Sequence, residues 1–209
     1  MSPLQNLGFL VGASFASGLN LYATVAALGL LHRFEVIQLP KSLAILANPI
    51  VLGVAIALYA IEFVADKIPY VDNVWDVIHT FIRPPAAAVL AYGATAQVDE
   101  AWRWAAALLA GSVALTSHGT KASTRAAANA SPEPFSNWLL SLSEDGIALF
   151  LTWMAVAHPL LTLAIVAVLV IACVFLLVKL FGFFRRVLRR VFGPKSTEPS
   201  PAGSRSGRA

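Results

Sequence analysis

Long apolar runs separated by short polar breaks mark most of this chain. The first, Leu4 to Leu31, is longer than one membrane crossing needs, since about 20 residues span the hydrocarbon core. Its middle reads Gly12-Ala13-Ser14-Phe15-Ala16-Ser17-Gly18-Leu19-Asn20. Small residues there allow close helix packing in lipid, and Gly18 with Asn20 also suits a broken helix. Both readings stand at this point. Residues 32–48 connect, with Pro40. A second span is expected from Pro49, a good first-turn residue, to about Ala65.

From Tyr70 to Arg83 the pattern turns amphipathic. Val71, Val74, Trp75, Ile78, Phe81 and Ile82 share one helical face, and Asp72, Asp76, His79 and Arg83 share the other. This helix either lies in the interface or dips in as half of a re-entrant hairpin. Pro84-Pro85 is expected to stop it, before a short apolar run over 86–97. Trp102 to Ser117 predicts a span that continues as a polar helix to Asn129. A turn at Ser131-Pro132-Glu133-Pro134 follows. Phe135 to Ala157 and Leu160 to Leu180 complete the pattern, parted at His158-Pro159. The fold class expected is an all-α, polytopic transmembrane helical bundle of about six spans, with broken or re-entrant helices.

Composition sharpens this. Of 209 residues, 58% are apolar and 12% charged, about half the charge of a soluble domain. That excludes an ordinary soluble enzyme, a disordered chain and a collagen-like fibre. Cys173, the one cysteine, cannot form an internal disulfide and reads as a packed thiol. No basic n-region marks a cleaved signal.

The net charge of +4 is misleading until it is divided. Residues 1–178 hold seven Lys+Arg against ten Asp+Glu, a net of −3; residues 179–209 hold eight against one, a net of +7. Hence 1–192 is expected to be the transmembrane domain and 193–209 a disordered basic tail. Arg185, Arg186, Arg189 and Arg190 read as a positive-inside anchor that meets anionic lipid headgroups. Six spans with a cytoplasmic C-terminus put twelve cations inside and three outside. No nucleic-acid motif accompanies them, so nucleic acid is not an expected partner.

Two halves look faintly alike. Gly12–Asn20 and Gly111–Gly119 are small-residue runs, and Asn48-Pro49 and Ser131-Pro132 each open a segment that reaches an acid about four turns later, Glu62 and Glu144. Inverted repeats are a transporter signature.

Ionisable residues within spans are functional candidates by default. Glu62 and Asp66 share a helical face, and their repulsion suggests a shared proton; the alternative is an interfacial pair held by Lys67 or Arg83. Ser117, Lys121, Arg125 and Asn129 form a second stripe suited to a phosphate or carboxylate. Its alternative is pairing with Asp72, Asp76, Glu133 or Glu144. The substrate-binding candidates are therefore Ser17, Asn20, Ser117, Lys121, Arg125 and Asn129. Glu62, Asp66, Asp72, Asp76, His79, Arg83, Glu144 and Asp145 are candidates for proton coupling or a charge network. Asp72, Asp76 and His79 lack a second ligand set, so no metal is assigned, and no cofactor. No catalytic residue is assigned either: nucleophile-elbow, Walker and zinc-protease patterns are all missing from the sequence.

Three stretches carry a family resemblance: Ala65-Asp66-Lys67-Ile68-Pro69-Tyr70-Val71-Asp72-Asn73-Val74-Trp75-Asp76, Ser117-His118-Gly119-Thr120-Lys121-Ala122, and Asn129-Ala130-Ser131-Pro132-Glu133-Pro134-Phe135-Ser136-Asn137. With Ala16-Ser17-Gly18-Leu19-Asn20 they resemble the bacterial membrane-protein family named domain of unknown function 4126, over about residues 5–182. The resemblance implies an integral inner-membrane protein and supplies no activity. The leading expectation is a small transporter or flippase-like permease for an anion, such as a phosphate-bearing lipid or metabolite, with proton coupling. A non-transporting scaffold or assembly protein is the alternative, and an intramembrane lipid-modifying enzyme the third. Expected partners are the bilayer, anionic headgroups, a small anionic substrate and, in one arrangement, a second copy of the chain.

Overall fold

The computed structural model describes residues 2–129 and 134–192. The expected 193–209 tail and most of the Ser131–Pro134 turn lie outside the described residues. Those described fold into helices: α1 Pro3–Leu19, α2 Leu21–Arg33, α3 Pro49–Ala65, α4 Val71–Thr80, α5 Arg83–Ala94, α6 Glu100–Ala128, α7 Pro134–Ala157 and α8 Pro159–Phe192, with a 3-10 turn at Lys41–Ala47.

Local sequence explains most boundaries. Ser2 and Gln5 form a capping box at α1, with Pro3 in the first turn. Asn48 accepts from the Ile50 amide and Pro49 starts α3. His158-Pro159 separates α7 from α8. Pro84 and Pro85 play a different part from the one expected: they form the first turn of α5, where a missing N–H does no harm.

The long Leu4–Leu31 run is broken at Asn20, and it is also tightly packed. Asn20 is extended (φ −149°, ψ 100°), caps the end of α1, and accepts from the Ala23 amide to start α2. Two residues earlier, a Cβ on Gly18 would land on the Ser117 hydroxyl and the Ala114 carbonyl of α6. Only glycine admits that approach.

α1 is the central helix, packed against α2, α5, α6, α7 and α8. Phe15, Ala16, Val113, Ala148, Leu151 and Val166 form one apolar cluster around it. Outward faces are apolar too: Ile50, Val89, Leu108, Ile171 and Phe181 are all exposed. α7 (Phe135–Ala157) and α8 (Pro159–Arg186) are long and apolar enough to cross a membrane. The 3-10 turn and α3, bent by 62°, are long and apolar enough as a pair. The protein is an all-helical bundle with membrane-spanning helices.

α4 shows the inside-out logic of such a bundle. Its charged face is buried at Asp72, Asp76 and His79, while Val74, Val77 and Phe81 are exposed. At ten residues it is too short to cross and lies outside the spanning segments.

Candidate functional site

The break in α1 frees backbone carbonyls inside the protein, and cations take them. Arg83 Nη1 donates to the carbonyls of Gly18 (3.0 Å) and Leu19 (2.9 Å), and Lys121 Nζ donates to Leu19 (3.1 Å). The C-terminal end of a helix favours positive charge, which adds to these bonds. Broken helices lining polar sites in membrane proteins satisfy their backbone this way.

Around that point α3, α5, α6 and α7 assemble an ion network. Arg83 Nη2 lies 2.5 Å from Glu62 Oε1. Lys121 Nζ lies 3.2 Å from Glu62, 2.9 Å from Asp66 and 3.6 Å from Glu144. Arg125 Nη2 donates to Asp66 Oδ2 at 2.9 Å and to Glu144, and its Nη1 reaches the Asp66 carbonyl at 3.1 Å. The four-residue spacing of Lys121 and Arg125 stacks them on one face of α6, and Glu62 and Asp66 on one face at the end of α3. Each acid of that pair therefore sits between two cations. Their mutual repulsion is offset by these cations, and Arg83, named above as one of two alternative partners for the pair, is among them. Lys67 stays half-buried at the edge, donating to Ser141 at 3.3 Å.

Amides extend the network. Asn20 Nδ2 donates to Asp145 at 2.8 Å, and Asn129 Nδ2 donates to both oxygens of Asp72, at 2.9 and 3.0 Å. Asn137 donates to Asn129 at 2.7 Å. Ser117 donates to the Phe15 carbonyl at 3.0 Å and ties α6 to α1. Ser17 is buried beside this junction, and its hydroxyl has no partner.

Histidines form a third layer. Arg83 can only donate, so His118 Nδ1 accepts from it at 3.1 Å. His118 Nε2–H then points at the Asp76 carbonyl (3.0 Å) and Thr80 Oγ1 (2.9 Å). His79 donates from Nδ1 to the Trp75 carbonyl at 2.8 Å and accepts the Tyr22 hydroxyl at Nε2, at 2.9 Å. The Arg83 contact thereby fixes the neutral tautomer of His118, and the Trp75 carbonyl fixes the proton on Nδ1 of His79. Burial also holds the His79 imidazole below its ordinary range.

Every candidate named from the sequence thus lies buried, and all but Ser17 and the Asp76 carboxylate join these contacts. The pairing expected between the α6 stripe and acids falls on Glu144, Asp66 and Glu62, while Asp72 is taken by Asn129; Glu133 lies outside the described residues. Asn129 takes up Asp72, and Tyr22 and the Trp75 carbonyl take up His79, and among the described residues Asp72, Asp76 and His79 do not form a group placed to hold a metal. His118, Tyr22, Thr80 and Asn137 are members that the sequence reading missed. The Ser117-His118-Gly119 motif carried the only signal for one of them.

Charge does not balance. Six buried carboxylates (Glu62, Asp66, Asp72, Asp76, Glu144, Asp145) face three buried cations (Arg83, Lys121, Arg125) among the described residues. Burial pushes the Asp76 carboxyl up to about 6, against the opposing pull of Lys121, Arg83 and Arg125.

Apolar hollows lie elsewhere. One of about 490 Å³ opens between α2, α3 and α5 and is lined by Tyr22, Val25, Val51, Leu58 and Val89. Another of about 320 Å³ lies beside α5 and α6 at Ala88, Trp104 and Leu108.

No curated protein and no solved structure matches this chain. A family model described as "Domain of unknown function (DUF4126)" matches residues 7–179. That match takes in every residue of the ion network, and the chain belongs to this family.

Proposed function

We propose that the protein is a small membrane transporter for an anionic substrate, coupled to protons through its buried carboxylates. The observation that carries this reading is the ion network itself, buried where a broken helix exposes its carbonyls. Well-packed apolar residues in place of a buried ion cluster are often neutral or stabilising. A bundle that keeps nine buried ionisable side chains, counting only Asp, Glu, Lys and Arg, therefore retains them at a cost in stability. Such groups in membrane proteins mark substrate and proton paths. Lys121 and Arg125 are already paired, so an anion has to displace Glu144 or Asp66. Protonating those acids frees the cations for a phosphate or carboxylate, and that exchange is the coupling.

The remaining parts fit this reading. Asn20 binds Asp145 and Asn129 binds Asp72, each amide reaching an acid in the other half of the chain. These cross-bonds tie the two halves of the chain together. Six crossings place Arg185 and Arg186 at the cytoplasmic face of a bacterial inner membrane, against anionic headgroups.

One observation favours the scaffold reading instead. Arg125 is bonded at all three nitrogens by Asp66 and Glu144, and neither of the larger apolar hollows is lined by any of the network's charged residues. Proteoliposomes separate the two. The wild type is expected to take up labelled inorganic phosphate, or to move a headgroup-labelled anionic phospholipid between leaflets, faster under a pH gradient. Glu144→Gln should weaken the dependence on the gradient. A folded wild type that moves neither probe at any gradient supports the scaffold.

A further inference from the structure

Among the six buried acids, Asp76 differs from the rest. Glu62, Asp66 and Glu144 lie against cations, Asp72 accepts from Asn129, and Asp145 accepts from Asn20. The Asp76 carboxylate is 1% exposed, and neither oxygen has a partner. An ionised carboxylate buried without hydrogen bonds is strongly disfavoured, and protonation is the usual resolution.

We propose that Asp76 is the proton-binding site of this network: the packed bundle keeps its proton into mildly acidic pH, where a free carboxyl has already lost it, and lifting α4 from α6 releases it. The groups around it come from every element packed on α4. They are His118, Lys121 and Arg125 from α6, Glu62 and Asp66 from the end of α3, Arg83 from the start of α5 and Tyr22 from α2; Asp72 and His79 share α4 itself. A metal ion does not fit: no group of three Asp, Glu, His or Cys side chains among the described residues is placed to hold one. A proton needs only the one carboxylate.

The setting of α4 supplies the motion. Tyr70, just before it, has φ 69°, a left-handed conformation costly for a residue with a Cβ. The hydrogen bonds that hold α4 inward are Asp72 with Asn129, His79 with Tyr22, and His118 with Thr80 and the Asp76 carbonyl. Opening would let water take the Asp76 proton and hydrate the carboxylate that is left. Conversely, the protonated acid removes one negative charge from the cations' surroundings. Proton occupancy and anion affinity should then rise together, as linkage requires. This coupling rests on the transporter reading; the proton on Asp76 does not.

The test is infrared difference spectroscopy of the full chain in lipid nanodiscs, titrated from about pH 5 to about pH 8, a range that brackets a raised carboxyl. Expected is a carboxylic-acid carbonyl band that fades as pH rises. It should shift in wild-type protein labelled with 13C-aspartate, be missing from Asp76→Asn, and survive in Glu144→Gln. If Asp76→Asn does not fold, Asp76→Glu keeps the test valid, because its band should persist and no longer shift with the 13C-aspartate label. Replacing sodium by choline should leave the midpoint unmoved. The proposal is overturned by no band, by a band indifferent to the label, by a band unchanged in folded Asp76→Asn, or by a midpoint that follows sodium. Spectroscopic success without phosphate or lipid flux would sink the transport reading alone.

Discussion

The two halves of α6 bury themselves by opposite means. Its first half offers Ala107, Ala110, Val113 and Ala114, with Gly111 close to the Pro84 carbonyl of α5. Its second half offers Ser117, His118, Lys121, Arg125 and Asn129. In the first, small side chains let helices approach, and dispersion holds them. In the second, each contact is a hydrogen bond or ion pair made against a desolvation penalty. Same helix, same depth of burial: the first half is built for packing, and the second holds charge where packing alone would be safer.

Breaking the charged half should have the largest effect. Arg125→Ala leaves Asp66 and Glu144 without their guanidinium and is expected to cost about 3–5 kcal/mol, read from unfolding in mild detergent. Asp76→Asn sharpens the contrast through pH. Asp76 has a folded pKa raised to about 6, above an unfolded value near 3.9. Its proton therefore favours the folded state fully below about pH 4, and that contribution fades as pH rises to about 6. Relative to Asp76→Asn, the wild type should lose up to about 3 kcal/mol across that window. Equal pH dependence in the two proteins contradicts this.

The packing half should respond to volume. Ala114 is fully buried against α1, and Ala114→Leu is expected to cost about 1–3 kcal/mol by overpacking. At the small end, a Cβ on Gly53 meets nothing within 4 Å. Gly53→Ala should leave stability unchanged or raise it by up to about 1 kcal/mol. A loss as large as that of Ala114→Leu would show that α3 has a packing partner at this face.

Much of this was legible in the sequence. The Asn48-Pro49 start of α3, the His158-Pro159 break and the amphipathic α4 rest on local rules, and all three stand where expected. The Lys121–Arg125 and Glu62–Asp66 stripes follow from helical spacing alone. What the sequence hid depends on tertiary contact. Arg83 is one of two alternative partners that the sequence offers the Glu62–Asp66 pair, but it follows an amphipathic stretch and precedes two prolines, so it read as a helix end; in the fold it starts α5 and pairs with Glu62. His118 sits in a motif that says nothing of its role, which comes from Arg83, 35 residues away. Asp76 and Asp72 look equivalent on the helical face, and only the position of Asn129 separates a bonded acid from a bare one.

The central claim is that the charged half of α6 is a binding site and more than a clamp between helices. Native mass spectrometry of the wild type, Asp76→Asn and Lys121→Gln, each released from mild detergent, tests it most directly. Expected is a phosphate-bearing or carboxylate adduct on the wild type, at equal or higher occupancy on Asp76→Asn, and lost from folded Lys121→Gln. A bare wild type that takes up neither added inorganic phosphate nor an anionic phospholipid, or an adduct equal in all three, would contradict it.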